Sequence, residues 1–368
     1  MSSRKTKAWQ RALFALGVAA SLISTTARSQ TISAETPNFT ARIKVLAARL
    51  REAPTNAGVQ NEARALGIEL LKAMRYEEAA ALFVALRDAA PADPAALYGG
   101  ALALFNLRRI AEAEVWARAA VDKSLGAAGP GNAAAERSPR FGSVADAFVL
   151  VGIILAVKGD NTGSIAALSR AVELAPGSFD AQFALGRALY GAGDPIGAAR
   201  AFRASVALRP THAEARFFLC TALERAGDNP GALASYREFV TIAPNIAISH
   251  LGLGVLLVKQ GATDQDEGIR ELEKALAIDD KLYEGHVSLG RALIRARRPA
   301  ESISYLKRAA ELAPDNPEPH YQMSIAYGRL GKRQEAEAES AVVKQIHQSR
   351  RSAQALKPET PTPPDQQF

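Results

Sequence analysis

Cysteine is almost absent from this sequence of 368 residues, in which Cys220 is the only one. A single thiol cannot form an intramolecular disulfide, so the fold has to be held together by its hydrophobic core alone. Aromatic residues make up only 6% of the chain, with three methionines and two tryptophans. This composition leaves little for redox or metal chemistry.

Sequence motifs of the common enzyme classes are also missing. There is no GxSxG, CxxC or HExxH motif and no phosphate-binding loop. The segment Gly252-Leu253-Gly254 resembles part of a dinucleotide fingerprint, but no predicted strand precedes it. Carboxylates are scattered, as expected for solvated helix surfaces. The sequence therefore predicts a protein that is not an enzyme and has no cofactor and no metal site.

The N-terminal segment 1–29 has the pattern of a secretory signal peptide. Four basic residues lie between Arg4 and Arg11, an apolar run covers 12–23, and the small residues Ala27 and Ser29 precede Gln30. The alternative is an uncleaved anchor, but the run of about a dozen residues is short of the roughly 20 needed to span a bilayer. We expect an exported protein, periplasmic or secreted, with membrane contact only through an envelope complex.

The positive net charge comes largely from this N-terminal segment. The formal charge is +7, yet residues 1–29 contain five basic and no acidic residues, which leaves 40 basic against 38 acidic residues in the rest. The net charge after cleavage would be +2. The high isoelectric point is therefore poor support for nucleic-acid binding, and no nucleic-acid partner is expected.

The rest of the chain repeats itself. LGRALYGAGDPIGAARAFRASVALRP begins at Leu185, and LGRALIRARRPAESISYLKRAAELAP begins at Leu289. Pro176, Pro210 and Pro244 follow one another at a constant step along the chain. A small residue recurs in one position of this pattern: Gly67, Ala101, Gly152, Gly186, Cys220, Gly254, Gly290 and Ser324. A second small position holds Ala79, Ala113, Ser164, Ala198, Ala232, Gly268, Ser302 and Ala336.

This pattern resembles the tetratricopeptide repeat (TPR), a helix-turn-helix unit of about 34 residues whose length matches the step between the prolines. Eight such repeats start at residues 60, 94, 145, 179, 213, 247, 283 and 317. The resemblance implies an all-α, right-handed α-solenoid, in which small residues let paired helices approach and larger ones such as Phe202 and Leu306 fill the gaps. Asp194 and Asp228 stand where they would cap second helices, and Pro195 and Pro299 suit the first turn.

The repeats fall into two blocks, 60–127 and 145–350, and the ends differ from the pattern. A Gly/Ala/Pro-rich loop is predicted over 128–144, a two-residue insertion lies within 260–269, and a leading helix is predicted over 37–53. Ser340 and Gln348 replace a bulky residue and a proline in the last repeat, as expected for a polar terminal repeat. The Pro-rich segment 352–368 is predicted to be disordered.

His250, His286 and His320 occupy one position in three successive repeats. They could form a ladder for metal binding or pH sensing, but neighbouring first helices lie about 8–10 Å apart, whereas one metal ion needs ligands at about 2 Å. The same position holds Phe148, Gln182 and Arg216 in other repeats. We interpret these histidines as packing residues, and Cys220 as a buried thiol in a position that requires a small residue.

The TPR resemblance implies a binding groove lined by the first helices of the repeats. The positions that line it in this family hold Tyr98, Phe105, Phe183, Arg187, Tyr190, Phe217, Arg225, Val255, Lys259, Val287, Arg291, Arg295, Tyr321 and Arg329. Aromatics and arginines suit recognition of a protein or peptide. The Lys and Asn clamp of the chaperone-tail-binding subgroup is missing, since the matching positions hold residues such as Ile153 and Thr221.

Two functions remain open at this stage. The first is a non-catalytic interaction scaffold of the cell envelope or an exported compartment, which binds a protein or peptide of unknown identity in this groove. The second is an accessory role in an envelope complex for synthesis or export of a glycan or polysaccharide, because envelope members of the family often serve such complexes.

Overall fold

The computed structural model of the protein describes residues 39–128, 141–261 and 265–355. Within these ranges it consists of seventeen α-helices and contains no β-strand. The predicted all-α class, built from helix-turn-helix repeats, is confirmed. The predicted signal peptide lies outside the described residues.

Two compact units divide the chain, the first ending at Gly227 and the second starting at Asp228. The described helices of the first unit are α1 Phe39–Glu52, α2 Ala57–Lys72, α3 Tyr76–Ala89, α4 Pro94–Asn106, α5 Ile110–Ala128, α6 Val144–Lys158, α7 Asn161–Leu174, α8 Phe179–Ala192, α9 Pro195–Leu208 and α10 Ala213–Arg225. Those of the second are α11 Asn229–Ile242, α12 Ala247–Gln260, α13 Gln265–Ile278, α14 Tyr283–Arg295, α15 Pro299–Leu312, α16 Glu318–Arg329 and α17 Arg333–Ala355.

In the hairpins α6–α7, α8–α9 and α14–α15, a large side chain of the second helix fills the small position of the first. A Cβ atom at Gly186 of α8 would lie 2.7 Å from Cδ1 of Phe202 on α9, and one at Gly152 would lie 2.5 Å from Cγ of Leu168. Gly290 faces Leu306 in the same way, at 2.6 Å. Such distances leave no room for a larger residue, so the recurrent small residues are a packing requirement.

The turns between paired helices follow the sequence pattern. Asp194 accepts a hydrogen bond from the Gly197 amide at 2.8 Å, and Asp228 accepts one from the Gly231 amide at 2.9 Å. Both capping predictions are confirmed, and these carboxylates satisfy amides that have no partner within the helix. Pro195 and Pro299 begin their helices as predicted, because proline fits the first turn, where its missing N–H costs nothing.

Several helix ends differ from the predicted boundaries. The leading helix, predicted over 37–53, is Phe39–Glu52. Helix α2 begins at Ala57, before the predicted start of the first repeat at 60, because the Asn56 side chain accepts hydrogen bonds from the Gly58 and Val59 amides. Helix α17 continues to Ala355, so a disordered tail starting at 352 is wrong for its first residues. Gln348 explains this extension, since it replaces the proline that ends other second helices.

The predicted loop 128–144 also differs at its edges. Helix α5 runs through Ala128, and α6 begins at Val144, where Ser143 and Asp146 cap it reciprocally. The Phe141 ring packs edge-on against Tyr98 of α4, with ring centroids 5.1 Å apart. The C-terminal end of this segment is therefore attached to the helical core, while 129–140 lie outside the described residues.

Candidate functional site

Helices α8 and α10 of the first unit bring together most of the aromatic side chains of this region. Phe202 enters from α9 and stacks on Phe218 of α10, with ring centroids 5.3 Å apart. Phe183 of α8 lies 5.8 Å from Phe202 and 6.0 Å from Phe218. We call Phe183, Phe202 and Phe218 the aromatic cluster.

Arg187 of α8 is buried in this cluster, with only 4% of its surface exposed. Its guanidinium lies 5.8 Å from the Phe183 ring and 5.6 Å from the Phe218 ring, and Nη1 is 3.6 Å from Oε1 of Glu214. Burial lowers the pKa of Arg187, against the opposing effect of Glu214. Arg187 of α8 therefore connects this helix to α10 through buried contacts with Phe218 and Glu214.

Three side chains next to the aromatic cluster reach solvent. Arg225, at the end of α10, is exposed, and its guanidinium lies 4.3 Å above the Tyr190 ring. Tyr190 and Phe217 are half-buried, and each lies about 6 Å from Phe218. We call Tyr190, Phe217 and Arg225 the α8–α10 surface. It offers two aromatic rings and a guanidinium held in place by stacking.

Carboxylates recur at the opposite ends of these first helices. Asp146, Asp180 and Glu214 lie in the first turns of α6, α8 and α10, at the same position of three successive repeats. Burial is the main cause of the raised pKa of Asp146, and the nearby Asp180 adds to it. Sequence reasoning passed over these acids, although their shared position in the repeat marks them, because it selected aromatic and basic residues.

His212 is the N-cap residue of α10 and lies between these acidic residues and the aromatic cluster. Its Nδ1 accepts a hydrogen bond from the Ala215 amide at 3.2 Å, and its ring lies 4.7 Å from that of Phe179. Burial is the main cause of the lowered pKa of His212. Arg209 also lowers this pKa, whereas Glu214 and Asp180 act in the opposite direction. The cap requires an unprotonated Nδ1, which the lowered pKa favours.

Five of the predicted groove residues require correction. Those that are buried, and so cannot themselves form an open surface, are Tyr98, Phe105, Phe183, Arg187 and Val287. Burial, followed by the charges of Asp146 and Asp180, raises the pKa of Tyr98. The physical reason is clearest at Arg187, over which Phe218 and Glu214 of the next repeat pack.

In the second unit, most of the predicted groove residues lie at the surface. Those that are exposed are Lys259, Arg291, Arg295, Tyr321 and Arg329. Arg295 of α14 donates from Nη1 to the Val258 carbonyl of α12 at 2.9 Å, and Arg329 of α16 donates in the same way to the Ile294 carbonyl of α14. These arginines therefore satisfy carbonyls in the last turn of the preceding first helix.

The histidine position has a structural role that the sequence did not reveal. His250 and His286 place Nε2 at 2.9 Å from the carbonyl oxygen six residues upstream, those of Pro244 and Asp280. Gln182 and Arg216 donate to the equivalent carbonyls of Pro176 and Pro210. In these four repeats the position thus holds a side chain that satisfies the carbonyl of the closing residue, which supports the packing interpretation.

Two histidines add a carboxylate partner on the second helix of the pair. Nδ1 of His250 lies 2.6 Å from Glu271, and Nδ1 of His320 lies 2.6 Å from Glu339. Cys220 is buried, as expected. In the described ranges, no group of three or more His, Cys, Asp or Glu side chains is placed to hold a metal ion, and none of the helices there is long and apolar enough to cross a membrane.

Comparison with known structures shows similarity in fold alone. One is the C-terminal part of a TPR repeat-containing protein from Cytophaga hutchinsonii, with 19% identity over 71% of this chain and 99% of that one, and a TM-score of 0.54. Another is PilF of Pseudomonas aeruginosa, with 18% identity, coverage of 58% and 97%, and a TM-score of 0.47. YrrB, a TPR protein with an unusual peptide-binding site, has 16% identity, coverage of 52% and 100%, and a TM-score of 0.43.

Sequence comparison identifies the family directly. No curated protein sequence matches the chain. The tetratricopeptide repeat family model, however, matches residues 64–133, 183–247 and 251–317, which together make up more than half of the chain. These matches include all of α10 and α14 and most of α8 and α12, the first helices that carry most of the surface residues described above. The chain therefore belongs to the tetratricopeptide repeat family.

Proposed function

We propose that this protein is a non-catalytic scaffold that binds a protein or peptide partner through the first helices of its repeats. TPR proteins are protein-interaction scaffolds. The observation that carries the proposal is the α8–α10 surface, where an exposed arginine stacks on a tyrosine beside a half-buried phenylalanine. Tyrosine, phenylalanine and arginine are enriched in interfaces, and tyrosine and arginine among the residues that dominate binding energy.

Preorganisation favours this surface over an ordinary patch of helix. The Arg225 guanidinium is already ordered on Tyr190, and the rings beneath it are fixed by Phe202 and Arg187. A partner would therefore have to immobilise few side chains, and the entropy cost of binding would be small.

Peptides selected from a random display library on the wild-type protein test this proposal. We expect the selected peptides to lose at least about tenfold in affinity, or about 1.4 kcal/mol, when Phe217→Ala and Arg225→Ala are combined. Fluorescence anisotropy measures the affinities. Arg203→Ala is the matched control, because Arg203 is exposed on the second helix α9 and its loss should change nothing. Selected peptides that bind the double variant as tightly as the wild type would contradict the proposal.

We also propose that the protein is exported, to a periplasm or to the medium. The basic start, the short apolar run and the small residues before Gln30 support this. Expression of the full chain in a bacterium, followed by fractionation and N-terminal sequencing, should give a product that starts at Gln30 outside the cytoplasm. A cytoplasmic product that retains Arg4 to Arg11 would show that the segment does not direct export.

A further inference from the structure

The first helices of the second unit present a row of guanidinium groups. Arg291 and Arg295 are one turn apart on α14, so they lie on the same side of the helix. Arg329 occupies the position of Arg295 one repeat later, on α16. All three side chains are exposed. We call these three residues and Tyr321, which is 52% exposed, the α14–α16 surface.

Two of these guanidiniums are held in position by the backbone. Arg295 and Arg329 each donate one hydrogen bond to a last-turn carbonyl of the preceding first helix. A guanidinium has five N–H donors, and these contacts use one nitrogen of each. The remaining donors stay available in a fixed orientation, at spacings set by the repeat.

The arginines of the α14–α16 surface differ from other arginines of the second unit in their carboxylate partners. Around the second helices, Arg237 pairs with Glu267, Arg298 with Glu301, and Arg308 with both Asp280 and Glu311. By contrast, within the part of the chain that the structure describes, no carboxylate lies within 4.0 Å of Arg291, Arg295 or Arg329. Unneutralised guanidiniums beside an exposed tyrosine are suited to a partner that supplies carboxylates.

We propose that the α14–α16 surface binds an extended acidic peptide segment, with at least two carboxylate side chains that pair with Arg291, Arg295 and Arg329. This inference rests on the proposed function, because it names the chemistry of a peptide partner. The ring of Tyr321 and the half-buried Ile325 supply apolar contact beside the charges. A nucleic acid fits less well, because it carries phosphates along its whole length, whereas a peptide can keep its carboxylates at the arginines and away from Glu284 and Glu318, in the first turns of the same helices.

A labelled peptide of four Glu-Leu-Ser repeats is the probe, and its Gln-Leu-Ser counterpart is the neutral reference. We expect the acidic peptide to bind the full chain at least about tenfold more tightly, with a preference that weakens as salt rises. Arg291→Gln combined with Arg329→Gln should abolish the preference. Arg270→Gln is the matched control, since Arg270 is exposed on the second helix α13, and it should retain the preference.

Charge reversal gives a readout that loss of folding cannot imitate. Among the described residues, Arg291 makes no carbonyl contact of the kind seen at Arg295 and Arg329, so Arg291→Glu should leave the thermal melt unchanged and shift the preference towards a Lys-Leu-Ser peptide. Equal affinity for the acidic and neutral peptides, or a preference unchanged in the double variant, would overturn the inference. Tighter binding of an oligouridylate probe would also overturn it and would assign the surface to nucleic acid.

The outcomes separate this inference from the proposed function. If the acidic probe fails while selected peptides still depend on Phe217 and Arg225, only the inference about the α14–α16 surface is wrong. If selected peptides are insensitive to Phe217 and Arg225 while the acidic probe binds as expected, peptide binding is assigned to the second unit instead.

Discussion

Replacing Phe202 with alanine is expected to lower the free energy of unfolding by about 3–5 kcal/mol, the usual cost of removing a buried phenylalanine ring. Phe202 has no exposed surface. Its ring touches the position where Gly186 has no side chain and stacks on Phe218 of the next repeat. The truncation therefore leaves a cavity at the contact of three helices, α8, α9 and α10, which cannot close without moving one of them.

Urea unfolding of the full chain, followed by far-ultraviolet circular dichroism, measures this loss. Arg203→Ala is the matched control, because it truncates the exposed neighbour on the same helix and should change stability by less than about 0.5 kcal/mol. Phe217→Ala should also be mild, because Phe217 is half-buried. A cost below about 1 kcal/mol for Phe202→Ala, the size of an ordinary substitution, would show that the hairpin does not depend on this ring.

The packing of the helical pairs was largely predictable from the sequence. The recurrence of small residues at Gly152, Gly186 and Gly290 marks the place where two helices touch, because steric exclusion leaves no other choice. Asp194 and Asp228 mark helix starts for a reason equally local, since a short carboxylate satisfies amides two to three residues ahead. Rules of this kind depend only on near neighbours in the chain.

The exposure of the candidate surface residues was predicted less well. A position in the repeat indicates which way a side chain points, but not how deeply it is buried. Arg187 and Arg291 share one position in their repeats. Arg187 is buried beneath Phe218 and beside Glu214, which belong to the following repeat, whereas Arg291 remains exposed. The difference arises from the size of the side chains that the following repeat contributes. Periodicity in a single sequence does not report such contacts.

The role of the histidine position was missed for a related reason. Gln182, Arg216, His250 and His286 have little in common as residue types except a nitrogen that can donate a hydrogen bond. Each places that nitrogen near the carbonyl of the residue that closes the preceding repeat. The common requirement is therefore a donor at a fixed reach, which becomes visible only when the acceptor is seen.

The second large effect is expected at His250, which is buried and has an acceptor at each ring nitrogen. Nε2 faces the Pro244 carbonyl at 2.9 Å and Nδ1 faces Glu271 at 2.6 Å. Burial raises the pKa of Glu271, but the hydrogen bonds from Lys274 and His250 outweigh it, so the pKa lies below its ordinary value. The lowered pKa keeps Glu271 ionised at neutral pH, so His250 lies between a carbonyl oxygen and a carboxylate.

His250→Leu is expected to lower the free energy of unfolding by about 3 kcal/mol at neutral pH, because it removes the partner of two buried acceptors, one of them a carboxylate. The substitution leaves the Pro244 carbonyl without its side-chain partner and removes one of the two side chains that hydrogen-bond the buried Glu271 carboxylate. Urea unfolding of the full chain measures the loss, and hydrogen exchange of peptides from α12 and α13 localises it to this hairpin.

His320→Leu is the matched control, because His320 has the same repeat position and the same 2.6 Å contact with a carboxylate. Its side chain is 17% exposed against 6% for His250, so water can replace the lost partner and the cost should be at least about 1 kcal/mol smaller. Equal costs for the two substitutions would show that burial of the His250–Glu271 pair is not what stabilises the hairpin.

The pH dependence supplies an independent check of the same pair. A carboxylate whose pKa is lowered by folding contributes stability that is present above its ordinary pKa and lost as the pH falls through the folded value. His250→Leu removes one cause of that lowering. The difference in stability between wild type and variant should therefore be largest near neutral pH and shrink as the pH falls below the ordinary carboxyl range and through the lowered pKa of Glu271. A difference that grows on acidification would contradict this role of the His250–Glu271 contact.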